Sequence, residues 1–187
     1  MKHKIAVFAS GYGSNFEVIQ KASLSGEINA EVVLFVCDKP GARSASLAAS
    51  HGIESFVFSP KTYAGKAAYE QEIVERCRKA GVELICLAGY MRIVGATLLD
   101  AYRDKIINLH PALLPSFKGE HAIEQALEAG VKVFGPTIHY VDETLDGGKI
   151  IAQKAFEYYG SDLEELTAKM HETEHILYIE TIKRILR

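Results

Sequence analysis

Apolar residues in this chain fall into short unbroken runs, separated by segments with a helical period. Ile5–Ala9, Ala30–Cys37 and Leu84–Ala88 are nearly continuous apolar runs, the pattern of a parallel strand covered on both faces. Glu54–Phe58 is a shorter run of the same kind, and Ile106 and Ile107 open another that ends at Pro111. Between these runs, Phe16, Ile19, Gln20 and Ala22 recur at helical spacing, predicting a helix that starts near Ser14 or Asn15. Ala42–Ser50 is alanine-rich and ends near Gly52, and Lys66–Ala80 is a charged amphipathic helix that stops before Gly81.

Strand alternating with helix predicts a parallel sheet with right-handed crossovers. The fold class is therefore α/β, a three-layer, mostly parallel Rossmann-like sheet with helices on both faces. The last third breaks the alternation. His121–Ala129 reads as a helix closed by Gly130, and Val131–Tyr140 as a long strand interrupted by Gly135 and Pro136. Lys149–Phe156 reads as its antiparallel partner, joined to it through Val141–Leu145 and the Asp146-Gly147-Gly148 turn. Leu163, Leu166, Met170, Ile176, Ile179 and Ile182 place a long helix over Leu163–Leu186, covering one sheet face. No linker, repeat or low-complexity segment interrupts residues 1–187, so they are expected to form one domain.

Composition narrows the function without naming it. At 187 residues and 48% hydrophobic content, roughly 70% of the unfolded chain's surface should be buried. The formal net charge of −3 argues against a nucleic-acid platform, while leaving room for a local basic patch toward a small anion. Met1-Lys2-His3-Lys4 runs straight into a strand, so no signal peptide is expected, and no apolar run is long enough to span a membrane. Cys37, Cys77 and Cys86 lack metal-type spacing and read as thiols in a reducing cytoplasm.

Ligands of open parallel sheets bind at the carboxyl ends of the strands. The turns at Ser10–Asn15, Gly89–Val94 and Asn108–Gly119 should therefore share one crevice. The first joins a strand, a glycine-rich turn and a helix N-terminus. Its free N–H groups and the helix dipole make a seat for a phosphate at Gly13, Ser14 and Asn15. A tight turn with Asn15 as a simple helix cap would need the same residues. The third glycine of the dinucleotide fingerprint and the Lys-Ser/Thr of the P-loop are both missing. Met91, Ile93 and Val94 offer adaptable apolar surface and Arg92 a cation at the rim, suited to a flat heterocycle with an acidic tail.

The chemistry centres on Asn108 and His110. Two residues apart on a strand, they share a face, and Pro111 ends the strand and keeps His110 extended. A carboxamide beside an imidazole suits attack at a carbonyl, where charge develops on oxygen. Asp146 would fix the orientation of the imidazole if the fold brings it near. No nucleophile elbow is present and no cysteine neighbours a histidine in sequence, which favours direct transfer between two bound substrates over a covalent acyl-enzyme. A zinc site built from His110, His121 and His139 lacks supporting ligand spacing, so no metal is expected.

Five collinear stretches carry a resemblance: Ser10–Asn15, Leu87–Val94, Ile107–Gly119, His139–Gly148 and Thr173–Tyr178. The Asn-x-His-Pro-x-Leu-Leu-Pro segment with a downstream Leu-Asp-Gly-Gly resembles the folate-dependent formyltransferase superfamily. The Ser-Gly-x-Gly-Ser-Asn turn is similar to that of its glycinamide ribonucleotide branch. The resemblance implies transfer of formyl from the co-substrate 10-formyltetrahydrofolate to the amino group of 5-phosphoribosylglycinamide, by a monomer or homodimer. It implies Asn108, His110 and Asp146 as the catalytic set. It also implies phosphate binding by Gly13, Ser14 and Asn15, and ribose binding by Glu174. Folate would lie against Lys66, Met91, Arg92, Ile93, Val94, Asn108, Val141, Asp142 and Glu143. Lys66 replaces a frequent arginine, Tyr12 replaces a small polar residue, and a cis Leu114–Pro115 bond is implied.

Overall fold

The computed structural model describes residues 1–187. The parallel half follows the hydrophobic runs closely: β1 is His3–Phe8, β2 Ala30–Cys37, β3 Ser55–Val57, β4 Leu84–Leu87 and β5 Ile106–His110. The helices between them are α1 (Ser14–Ser25), α2 (Arg43–Ser50), α3 (Lys66–Ala80) and α4 (Ala96–Ala101). Beyond β5 come α5 (Ala122–Glu128), β6 (Val133–Phe134), β7 (Thr137–Tyr140), β8 (Ile150–Gln153), β9 (Phe156–Glu157) and α6 (Leu163–Ile185).

The main sheet has seven strands in the order β3-β2-β1-β4-β5-β7-β8. The first five are mutually parallel, and β7 and β8 complete the sheet in antiparallel fashion. Both faces are covered, as the unbroken runs require. Ile5, Val7 and Ala9 pack into one core with Phe16 and Ile19 of α1 and Tyr178 and Ile182 of α6. Ala6 and Phe8 point into the opposite core with Tyr69, Ile73 and Cys77 of α3 and Leu98 of α4.

Two features depart from the pattern read along the chain. The helix α4 replaces a stretch with no predicted element. It is six residues long, too short to show a period, and its N-terminal donors are met from far away. Glu70 of α3, itself 2% exposed, accepts from the backbone N–H of Gly95 at 2.6 Å and of Leu98 at 3.4 Å. The long strand Val131–Tyr140 is divided between two sheets at Gly135-Pro136. Val133–Phe134 pairs with Phe156–Glu157 in a separate two-stranded sheet, and only Thr137–Tyr140 joins the main one. Proline supplies no N–H for a ladder at that point.

Candidate active site

The strand β5 lies inside the sheet, between β4 and β7, so its geometry is set from both sides. Its register places Asn108 directly opposite His139 and His110 opposite Thr137. His110 and His139 are almost fully buried, at 4% and 2% exposure. The turn carrying Asp146 folds back over this strand end. A close approach makes the turn possible: a Cβ on Gly148 would come within 1.8 Å of the Tyr140 carbonyl oxygen.

Four side chains thereby converge. His110 Nε2 donates to the Phe117 carbonyl at 2.7 Å, and its Nδ1 faces Asp146 Oδ2 at 3.5 Å. The same carboxylate oxygen accepts from the Gly119 N–H at 2.8 Å. His139 Nε2 lies 3.7 Å from Asp146 Oδ1. A carbonyl oxygen can only accept, so the 2.8 Å contact of His139 Nδ1 with the Tyr140 carbonyl fixes a proton on Nδ1. With that proton on Nδ1, Nε2 is placed to accept from Asn108 Nδ2, 3.2 Å away. One amide hydrogen of Asn108 is thus committed, and the other is free for a developing oxyanion. Burial pushes the Asp146 carboxyl up, but the adjacent His139 ring, the Gly119 N–H and the nearby His110 together hold it below the usual carboxylate range.

The loop between His110 and Phe117 is held by the strands behind it. Thr137 Oγ1 donates to the Ala112 carbonyl at 2.6 Å and accepts from the Leu114 N–H at 3.0 Å. Gln153 Nε2 donates to the Leu114 carbonyl at 2.9 Å. The Leu114–Pro115 peptide is cis. These bonds place the Phe117 carbonyl that orients His110.

The phosphate candidates cluster at the start of α1. Gly13 adopts φ +85° as the residue before the helix, a conformation that only glycine takes at little cost. Ser14 and Asn15 open the first turn, where N–H groups lack helical partners. Asn15 does not cap the helix through its side chain. Its Nδ2 donates instead to Glu174 Oε2 of α6 at 3.0 Å, linking the phosphate and ribose candidates. Arg43 was not foreseen from sequence. Its guanidinium lies 4.1 Å from the Tyr12 ring centroid and donates to the Tyr12 carbonyl at 3.1 Å.

The folate candidates are less uniform. Met91 and Ile93 are exposed at 67% and 70%, whereas Val94 is buried in the α3–α4 core, so its side chain packs inward. The aliphatic stem of Lys66, at the start of α3, lies against Gly95 at the end of the same turn. Val141 packs partly against the core, Asp142 Oδ1 accepts from the Thr144 N–H at 2.8 Å, and Glu143 pairs with Arg103 at 3.2 Å on the outside. His121 is bonded to Glu124 on the surface, and no three His, Cys, Asp or Glu side chains are placed to hold a metal. All three cysteines are buried and unpaired, and burial pushes the Cys77 thiol up to about 12.

His139 is the member of this cluster to which the sequence alone assigns no catalytic part. The signal was its place at the start of the Asp146-bearing stretch, but naming its partner required the register between β5 and β7.

A family model described as formyl transferase matches residues 3–182. A phosphoribosylglycinamide formyltransferase of Bacillus subtilis is 53% identical over 184 residues, covering 98% of this chain and 94% of that protein. The crystal structure of glycinamide ribonucleotide transformylase 1 from Geobacillus kaustophilus superposes with a TM-score of 0.97 at 46% identity, covering all of both chains. That of phosphoribosylglycinamide formyltransferase from Bacillus halodurans gives 0.94 at 48% identity, covering 98% of this chain and 95% of that one. In sequence and in fold, the chain belongs to the formyl transferase family, among its phosphoribosylglycinamide formyltransferases.

Proposed function

We propose that this chain, as one formyltransferase domain over residues 1–187, moves the formyl group of 10-formyltetrahydrofolate to the amino group of 5-phosphoribosylglycinamide. The observation that carries this reading is the convergence of Asn108, His110 and Asp146 at the same sheet end as the glycine turn before α1. The amine nitrogen attacks the formyl carbon, and the carbonyl electron pair moves onto oxygen. The free Asn108 amide hydrogen is the proposed donor to that oxyanion, helped by the Nδ1–H of His110, which it shares with Asp146 while Nε2 stays on the Phe117 carbonyl. The intermediate collapses with cleavage of the bond to N10 of the folate. The proton lost by the amine reaches N10, and Asp146 keeps His110 oriented and serves the transfer. Effective concentration from co-binding supplies much of the barrier reduction, up to roughly 7–11 kcal/mol.

Gly13, Ser14 and Asn15 seat the substrate phosphate, with Glu174 at the ribose. Met91, Arg92, Ile93 and the Val94 backbone, with Lys66, Asn108 and the Val141–Glu143 loop, receive the folate. We place the reaction in the cytoplasm, in keeping with three unpaired thiols. No helix is long and apolar enough to cross a membrane.

The test is a formyl-transfer assay with purified protein and both substrates. Tetrahydrofolate release should depend on the acceptor and fall by about 10²–10⁴-fold in His110→Ala. Asp146→Asn should alter the pH–rate profile as well as the rate. Acceptor-independent release would replace this reading with that of a formyltetrahydrofolate hydrolase.

A further inference from the structure

A buried polar chain, separate from the reacting groups, joins the carboxyl ends of β2, β1 and β4. Asp38 follows β2 directly, and its side chain has no solvent exposure. One of its oxygens accepts from Ser10 Oγ, and the other accepts from Arg92 Nε at 2.6 Å. The Ser10 hydroxyl accepts in turn from the Met91 N–H at 2.8 Å. The Ser10 N–H donates to the Gly89 carbonyl at 3.0 Å. A single carboxylate thus grips the turn after β4 twice, through the Met91 backbone and through the Arg92 side chain.

Holding the sheet ends together would not require a charge there, since a fully buried carboxylate carries a heavy desolvation penalty. The form of the grip points to a use. Asp38 takes Arg92 by its inner nitrogen, Nε, and the two Nη nitrogens make no hydrogen bond to the protein. The Arg92 side chain is 42% exposed, flanked by exposed Met91 and Ile93. A guanidinium fixed at Nε presents its outer pair of N–H groups as a rigid fork matched to a carboxylate.

We propose that Asp38 is a positioning residue for the folate donor: it aims the Nη fork of Arg92 at the donor's carboxylate tail and, through Ser10, holds the Met91 backbone beside the heterocycle. This rests on the assignment of Met91–Val94 to the folate given above. Fixing the fork before binding avoids the ordering penalty of a long side chain. Asp38 itself contacts no reacting atom, so its effect belongs in KM and not in kcat.

The experiment is steady-state kinetics of Asp38→Asn with two donors, 10-formyltetrahydrofolate and its analogue lacking the glutamate. KM for the complete donor should rise about tenfold, with kcat and KM for phosphoribosylglycinamide within about twofold. With the truncated donor the effect on KM should shrink to under about twofold. An unchanged KM for the complete donor overturns the proposal, and so does an equal loss with both donors. Arg92→Lys covers the case in which Asp38→Asn does not fold. It keeps the cation on an exposed stem but has no Nε to be held, and parental affinity for the complete donor would overturn the proposal. Arg92→Ala separates the two levels. If it leaves KM for the complete donor unchanged, the assignment of this turn to the folate fails. If it raises that KM while Asp38→Asn does not, only the role of Asp38 fails.

Discussion

Glu174, the residue proposed to meet the ribose, shows how a single side chain can be set between stability and use. It is 5% exposed on α6, and burial pushes its carboxyl up, against the opposing pull of the Asn15 bond and the charge of His171. A carboxyl whose folded pKa is raised favours folding while it is protonated, below the unfolded value of about 4.3, and that contribution is lost as the pH rises through the folded value. At neutral pH this carboxyl therefore contributes less to the fold than it does in acid. Glu174→Gln keeps an acceptor for Asn15 and removes the charge. Its melting temperature at pH 7.5 should exceed the parent's by about 2–4 °C, with the gain vanishing near pH 4. KM for phosphoribosylglycinamide should rise in the same variant, an exchange of binding for stability. Thermal melts at the two pH values check the sign, and a lower melting temperature at pH 7.5 would show that the buried charge is well compensated.

At the scale of elements, the start of α1 is fixed by its neighbour α2. A Cβ on Gly13 would meet Ser44 Cβ at 2.7 Å, and φ is +85°, so space and backbone both demand glycine. Gly13→Ala should lower stability by about 1–3 kcal/mol and raise KM for the phosphate-bearing substrate more than tenfold. Adding Ser44→Gly should recover part of the lost stability by removing the closer of the two Ser44 contacts, the Cβ at 2.7 Å, while the Cα at 3.1 Å remains. Urea denaturation of the single and double variants measures both effects. The strands β1, β2 and β4 were legible because burial on both faces leaves almost no polar alternation in their sequence. Asn108, His110 and the Gly13 turn were legible for a related reason, since strand period and helix-start chemistry are local. The helix α4 was not, because its cap comes from Glu70 on another helix. His139 and Asp38 were obscure for the same cause: each acts through a partner that only the strand order and register bring alongside.

Across the whole molecule, the proposed reacting groups stand on two supports of unequal firmness. Asn108 and His110 belong to a strand paired on both sides. Asp146 lies beyond Glu143, Thr144 and Leu145, which are exposed and outside any strand or helix. Opening free energies are expected to differ accordingly. Amide hydrogen exchange should show β5 protected close to the global limit and residues 142–147 exchanging orders of magnitude faster. Equal protection of both would mean that the loop opens only when the sheet does. With unequal protection, the floor of the crevice persists for as long as the fold does, while one wall parts and re-forms many times within that lifetime. A bulky donor would then enter and leave on the clock of the loop, without disturbing the residues proposed to meet its carbonyl.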